Sequence, residues 1–135
     1  MGYLLDTTAF SDLMREHAQM QTRLAALSPD ETLSICTVVR GEILHGISRL
    51  PEGQRRDDLA RKAKRLFDVI PCLPITEAVS DHYVEIKLAR QSKGLALDEN
   101  DLWIAATARQ SSAILVSRDS DFQHIDGLKV EDWTK

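Results

Sequence analysis

The chain has 135 residues, room for one domain and too few for two of usual size. Its 43% hydrophobic and 28% charged residues describe an ordinary globular domain, large enough to fold without a disulfide or structural metal. The net charge of −4 is opposite in sign to the usual footprint of a nucleic-acid-binding domain, and no apolar run approaches the roughly 20 residues that span a bilayer. Residues 1–6 lack the basic start and apolar core of a signal peptide, so a cytoplasmic location is expected. Cys36 and Cys72 lie in apolar stretches far apart in sequence and are expected to be buried, reduced thiols.

Tyr3-Leu4-Leu5 reads as a first strand ending at Asp6. Thr7 or Thr8 can cap the next helix, which carries Phe10, Leu13 and Met14 on one face. A helix over residues 19–27 stops at Ser28-Pro29-Asp30, and a second strand covers residues 32–37. Residues 38–50 place Ile43, Leu44 and Ile47 at helical spacing before Pro51-Glu52-Gly53 breaks the pattern. A long helix over 54–68 follows, then a short strand at 72–75. Between Arg55 and Arg65 that helix carries six basic residues, either a solvated face or a surface turned to phosphates. Thr76 caps a helix to about Ser92, ended by Lys93-Gly94, and Asp98 caps an alanine-rich helix over 99–109. A buried strand at 113–117 and a short edge strand at 128–130 complete the pattern. Short apolar runs alternating with helical segments define an α/β domain with a mostly parallel sheet.

In an open parallel sheet, active sites form beyond the carboxyl ends of the strands. Asp6 stands at the first such end, and Asp119 and Asp121 stand just past another. Glu42 lies one turn into the helix after the second strand, and Asp101 in the first turn of the alanine-rich helix. Taken singly, each has a plain structural reading: Asp6 and Asp98 as helix caps, Asp119 and Asp121 as exposed turn residues, Glu42 as part of a solvated helix face. Taken together they suggest a cation site. Two like charges about 4 Å apart repel by roughly 4 kcal/mol at an effective dielectric of 20, and a divalent cation offsets that repulsion. Magnesium and manganese favour such oxygen donors. The histidines His17, His45, His82 and His124 show no metal-ligand spacing.

Four segments then carry a family resemblance: Leu5-Asp6-Thr7; Val39-Arg40-Gly41-Glu42-Ile43-Leu44-His45-Gly46; Asn100-Asp101-Leu102-Trp103-Ile104-Ala105-Ala106; and Leu115-Val116-Ser117-Arg118-Asp119-Ser120-Asp121-Phe122. In this order they resemble the PIN-domain toxins of bacterial VapBC toxin–antitoxin systems, and the closing Gly127-Leu128-Lys129-Val130-Glu131-Asp132-Trp133 looks like that family's C-terminus. The resemblance covers nearly the whole chain and implies a single PIN domain over residues 1–135 with three α/β/α layers. It implies an endoribonuclease dependent on Mg2+, with Mn2+ able to substitute, that hydrolyses RNA phosphodiester bonds in tRNA or another structured RNA. By position, Asp6, Glu42, Asp101 and Asp119 match the family's acidic quartet, with Asp98 and Asp121 as additional acids and Asp121 an alternative fourth member. Arg40, Arg118 and Thr8 are the candidate RNA-contacting residues; Thr8 stands where many members carry Asn or Ser supporting the first Asp. Each arginine is alternatively a salt-bridge partner for a neighbouring acid. Trp103 is expected in the core or at a dimer interface rather than as a base-stacking platform. The family further implies a VapB-type antitoxin, a toxin homodimer and a toxin–antitoxin hetero-oligomer.

Two other phosphate-handling α/β folds do not fit. A dehalogenase-like phosphatase needs a second Asp two residues after the first, where Thr8 stands, and a receiver domain needs an acidic pair at the first strand.

Overall fold

The computed structural model describes Gly2–Lys135. Among these residues five strands and six helices follow one another as β1 (Gly2–Leu5), α1 (Thr7–Met14), α2 (Ala18–Ala25), β2 (Thr32–Cys36), α3 (Thr37–Ser48), α4 (Gln54–Val69), β3 (Cys72–Leu73), α5 (Glu77–Ser92), α6 (Glu99–Gln110), β4 (Ile114–Val116) and β5 (Val130–Glu131). A 3-10 turn, Ser120–Phe122, follows β4.

The sheet has the order β3-β2-β1-β4-β5, and every pairing is parallel. Helices on both faces make a three-layer α/β/α arrangement. The central strands read as continuous apolar runs because both faces are covered: Leu4, Leu5, Ile35, Cys36, Leu115 and Val116 are all buried. Ala105, Ala106 and Ala108 of α6 are fully buried, small enough to bring that helix close against its neighbours. Phe10 stacks on Phe67, tying α1 to α4, and Trp103 stacks on Tyr83, tying α6 to α5.

From β1 the chain builds outward through β2 to β3, then returns to lay β4 on the other side of β1. The order therefore reverses between β1 and β4, and a crevice opens beyond their carboxyl ends. Register sharpens the point: Leu5 pairs with Val116, so the next residues, Asp6 and Ser117, come side by side.

Three expectations need correction. Asp6, not Thr7 or Thr8, caps α1, its Oδ1 accepting from the Ala9 amide at 2.8 Å. Cys36 is buried, but Cys72 is exposed because β3 is a two-residue edge strand. The last strand is Val130–Glu131 rather than 128–130: Gly127 turns the chain at φ 76°, and pairing of Leu115 with Val130 sets the register beyond it.

Candidate metal and nucleic-acid site

Asp6 is buried, and both its oxygens are held. Oδ1 receives the Ala9 amide, and Oδ2 receives the Ser117 hydroxyl at 2.6 Å. The support expected from Thr8 thus comes from Ser117 across the sheet. The same Ser117 oxygen accepts from the Asp119 amide at 3.0 Å. Asp119 Oδ1 in turn caps the 3-10 turn by accepting from the Asp121 amide at 2.9 Å. A single hydroxyl therefore joins the ends of β1 and β4 and sets where two acids stand.

Glu42 is half-buried on α3, held from two sides. Thr7 Oγ1 donates to its Oε1 at 2.5 Å, and Asn100 Nδ2 donates to its Oε2 at 3.3 Å. Those donors come from the first residue of α1 and the second of α6, so Glu42 bridges the elements that carry Asp6 and Asp101. Asp101 is half-buried in the first turn of α6, which exposed Asp98 caps through the Asn100 amide.

Electrostatics show which acids share a neighbourhood. Partial burial, then the charges of Asp98, Glu42, Asp119 and Asp6, push the Asp101 carboxyl up to about 7. Burial is also the main cause raising Asp6; the Ser117 and Ala9 hydrogen bonds oppose it, and the charges of Asp119 and Asp12 add to it. Asp119 is among the charges that raise both buried Asp6 and half-buried Asp101, and Asp121 is exposed on the turn that Asp119 caps.

The carboxylates share a region but not a closed cage: among the described residues, no three His, Cys, Asp or Glu side chains stand close enough on one point to hold an ion. The donors nonetheless suit a hard divalent cation, being carboxylate oxygens whose mutual repulsion adds to the burial that lifts Asp101. Such an ion would be held by Asp6 and Asp101, with Glu42 and Asp119 beside it.

The candidate RNA contacts divide. Arg118 donates through Nε to buried Asp12 at 3.0 Å, with its own side chain 49% exposed. Arg40 is exposed, its guanidinium 5.0 Å from the centre of the Phe67 ring. Thr8 is half-buried in the first turn of α1. A cleft beside Glu42 is lined by Thr7, Gly41, His45, Arg49 and Asn100, so His45 faces the site rim from an exposed position. Along α4 the basic run is mostly exposed, and Arg61 and Lys64 pair with Asp58 and Asp68 of the same helix.

Sequence reasoning missed Ser117, Asp12, Thr7 and Asn100 as supporting groups. The signal for Thr7 and Asn100 was adjacency, since each directly flanks an acid of the group. Ser117 had a signal only after β1 and β4 were known to be neighbours.

A parallel sheet whose carboxyl edge gathers acids at the switch between β1 and β4 defines a PIN-type domain. The chain belongs to the PIN domain family, whose profile matches residues 3–128. It is 28% identical to ribonuclease VapC1 of Haemophilus influenzae (strain R2866), with all of both chains aligned. The solved structure of VapBC-1 from nontypeable Haemophilus influenzae superposes with a TM-score of 0.87 at 26% identity, covering all of both chains. VapBC2 from Rickettsia felis, bound to a DNA fragment from its promoter, superposes with a TM-score of 0.88 at 24% identity over 97% of this chain and 98% of that one.

Proposed function

We propose that this chain is a VapC-type toxin: an endoribonuclease of a type II toxin–antitoxin pair that depends on Mg2+, with Mn2+ able to replace it. The observation that carries the reading is the convergence of Asp6, Glu42 and Asp119, acids spread over more than a hundred residues, on Asp101: partial burial first, and then the charges of Asp98 and of these three, raise its carboxyl to about 7. Full-length similarity to a protein named ribonuclease VapC1 supports the same conclusion.

A bound divalent ion would lower the pKa of a water, orient it, and stabilise the charge developing on the phosphate and the leaving oxygen. The chain's own residues prepare that chemistry. Asp6 and Asp101 present carboxylate oxygens as the direct ligands. Glu42, fixed by Thr7 and Asn100, positions a second ion or its water. Asp119 completes the group, held by its amide to Ser117. Asp98 caps α6 and adds negative charge near Asp101, while Asp121 stands exposed on the turn capped by Asp119 as an additional acid.

The substrate is RNA, with tRNA or another structured RNA as the target, cut to leave 5′-phosphate and 3′-hydroxyl ends. Arg40 contacts phosphates from the site's edge, and Arg118 does so with the part of its guanidinium not given to Asp12. Thr8, half-buried in the first turn of α1, is the third candidate contact. The chain works in the cytoplasm as a homodimer, restrained by a VapB-type antitoxin in a hetero-oligomer. Among the described residues no helix is long and apolar enough to cross a membrane. Structural neighbours that are themselves VapBC assemblies support this partnership.

The test is to purify Asp6→Asn and Asp101→Asn and assay RNA cleavage with Mg2+ present. Both variants should keep the wild-type circular dichroism spectrum and lose nearly all cleavage. Either variant cutting as fast as the wild-type protein overturns the assignment. Melting the wild-type protein against Mg2+ tests ligation directly, since an ion held by the folded acids must raise Tm.

A further inference from the structure

Among the described residues, the buried side-chain polar atom left without a hydrogen-bond partner is Nε of Arg90. Arg90 sits on α5, only 7% exposed, and makes no ion pair with an acid among those residues. A buried guanidinium is ordinarily matched by a carboxylate, because desolvating an unpaired cation is costly. Here its partners are two backbone carbonyls: Nη1 donates to Gln123 O and Nη2 to Ala96 O, each at 3.3 Å.

The position of those carbonyls gives the arrangement its meaning. Ala96 lies in the loop that enters α6, two residues before Asp98 and five before Asp101. Gln123 closes the 3-10 turn that Asp119 caps. One planar fork therefore spans two segments of distant sequence, each of which delivers an acid to the site. Arg90 grips the first segment a second way, its own carbonyl accepting from the Lys93 and Leu95 amides at 3.1 and 2.9 Å. Both segments turn through positive φ near the clamp, at Gly94 (69°) and His124 (65°). Neither segment is a strand, so the sheet ladder does not set their separation.

We propose that Arg90 is a positioning residue, which ties the loop before α6 to the turn after β4 and thereby fixes the spacing of Asp101 and Asp119 for a divalent cation. The inference rests on reading these acids as metal ligands, as above. Only a bidentate group reaches both carbonyls. A methionine would fill the volume without the links, and a lysine would offer one donor head instead of a fork.

The test uses the full chain as wild type, Arg90→Met and Arg90→Lys. Two measurements need no RNA: Mn2+ affinity by calorimetry, and amide hydrogen exchange. In Arg90→Met, exchange in residues 95–101 and 119–124 should rise by about tenfold or more while β1 and β4 stay protected, the signature of local opening. Mn2+ binding should weaken by about tenfold or more, the effect expected when a group that orients ligands is lost. Arg90→Lys should fall between Arg90→Met and the wild-type protein. Unchanged loops and unchanged Mn2+ affinity in Arg90→Met overturn the proposal, as does faster exchange spread evenly over the strands. If Arg90→Met does not fold, Arg90→Lys carries the test, and its matching the wild-type protein in both readouts overturns it. The wild-type protein adds a check independent of folding: the two Nη groups of Arg90 should give separate 15N resonances, because rotation about Nε–Cζ would break both contacts. A single averaged signal overturns the clamp. Failure of the metal reading would look different, with a wild-type protein that binds no Mn2+ but whose loops still loosen in Arg90→Met.

Discussion

The Ser117 hydroxyl donates to Asp6 Oδ2 at 2.6 Å, linking residues 111 apart in sequence at the carboxyl ends of adjacent parallel strands. That hydrogen bond opposes the burial that raises the Asp6 carboxyl, so it keeps an enclosed acid more available as an anion. Ser117→Ala removes this donor and also the acceptor of the Asp119 amide. The variant should lose about 1–3 kcal/mol of stability, the cost of stranding buried polar groups. Asp6 should also hold its proton to higher pH. Divalent-ion affinity should fall about tenfold, equivalent to roughly 1.4 kcal/mol, measured by calorimetry with Mn2+. An unchanged affinity would mean that Asp6 does not depend on Ser117.

Thr7 plays the matching part for Glu42, its hydroxyl donating to Oε1 at 2.5 Å. It is not the cap of α1, because Asp6 fills that role. Thr7→Val should therefore leave the helix start intact and cost only about 0.5–1.5 kcal/mol, while freeing one oxygen of Glu42. Half-saturating Mg2+ for RNA cleavage should rise by about tenfold, as when a group that orients a metal-binding carboxylate is lost. Glu42→Gln should lower cleavage further, since no rearrangement of its neighbours restores the lost charge. A Thr7→Val protein with the wild-type Mg2+ dependence would show that Glu42 holds its place without this contact.

The difference between these two supports shows what could be read before the fold was known. The acids were legible because strand ends and first helical turns leave local marks: an apolar triplet before Asp6, a capping residue before Asp101. Thr7 and Asn100 touch Glu42 from positions beside those acids, yet both contacts bridge elements 35 and 58 residues apart. Ser117 is one serine after an apolar run until β4 is known to lie against β1 rather than at the sheet's edge. That order is set by the crossover back past β1, and no local periodicity encodes it. Cys72 failed for the same reason in reverse: its apolar neighbours suggested a buried strand, but β3 is the outermost strand. Helix positions came through well because capping and turn residues punctuate them, as Thr76 does by accepting from the Val79 amide. Arg118, read as either a phosphate contact or an ion-pair partner, is paired with Asp12, an acid whose burial only the packing of α1 reveals.

Trp103 lies two residues after Asp101 but turns away from it, stacking on Tyr83 with ring centres 3.9 Å apart and planes 8° from parallel. The contact joins α6 to α5, and Tyr83 also hydrogen-bonds Glu99, so the pair steadies the start of α6 from its far side. Trp103→Ala should destabilise the fold by about 2–3 kcal/mol, below a fully enclosed aromatic because the indole is only half-buried. Measured well below Tm, cleavage per folded molecule should stay near the wild-type value. A large loss of RNA affinity in a stably folded Trp103→Ala protein would instead assign the indole to the substrate.

Asp101 makes the pH dependence of stability a test of the whole site. Its carboxyl titrates near 7 when folded and near the ordinary 3.8 when unfolded, mainly through burial and then through the charges of Asp98, Glu42, Asp119 and Asp6. The folded state therefore binds this proton more tightly than the unfolded state between those two values. Stability from this group is fully present below the unfolded pKa and is lost as pH rises through about 7. Buried Asp6, also raised, acts in the same direction. Without divalent ions, this part of the stability should decline between pH 5 and pH 8. Asp101→Asn has no charge to desolvate, so its Tm should exceed that of the wild-type protein at pH 8, and the gap should close toward pH 5. Mg2+ should reverse the order at pH 8 by stabilising the wild-type protein and leaving Asp101→Asn nearly unmoved, because the ion binds the ionised cluster that the proton otherwise neutralises. Differential scanning calorimetry at three pH values, with and without Mg2+, reads both effects. A wild-type Tm at pH 8 that neither rises with Mg2+ nor falls below that of Asp101→Asn in its absence would show that these carboxylates do not form one electrostatic group.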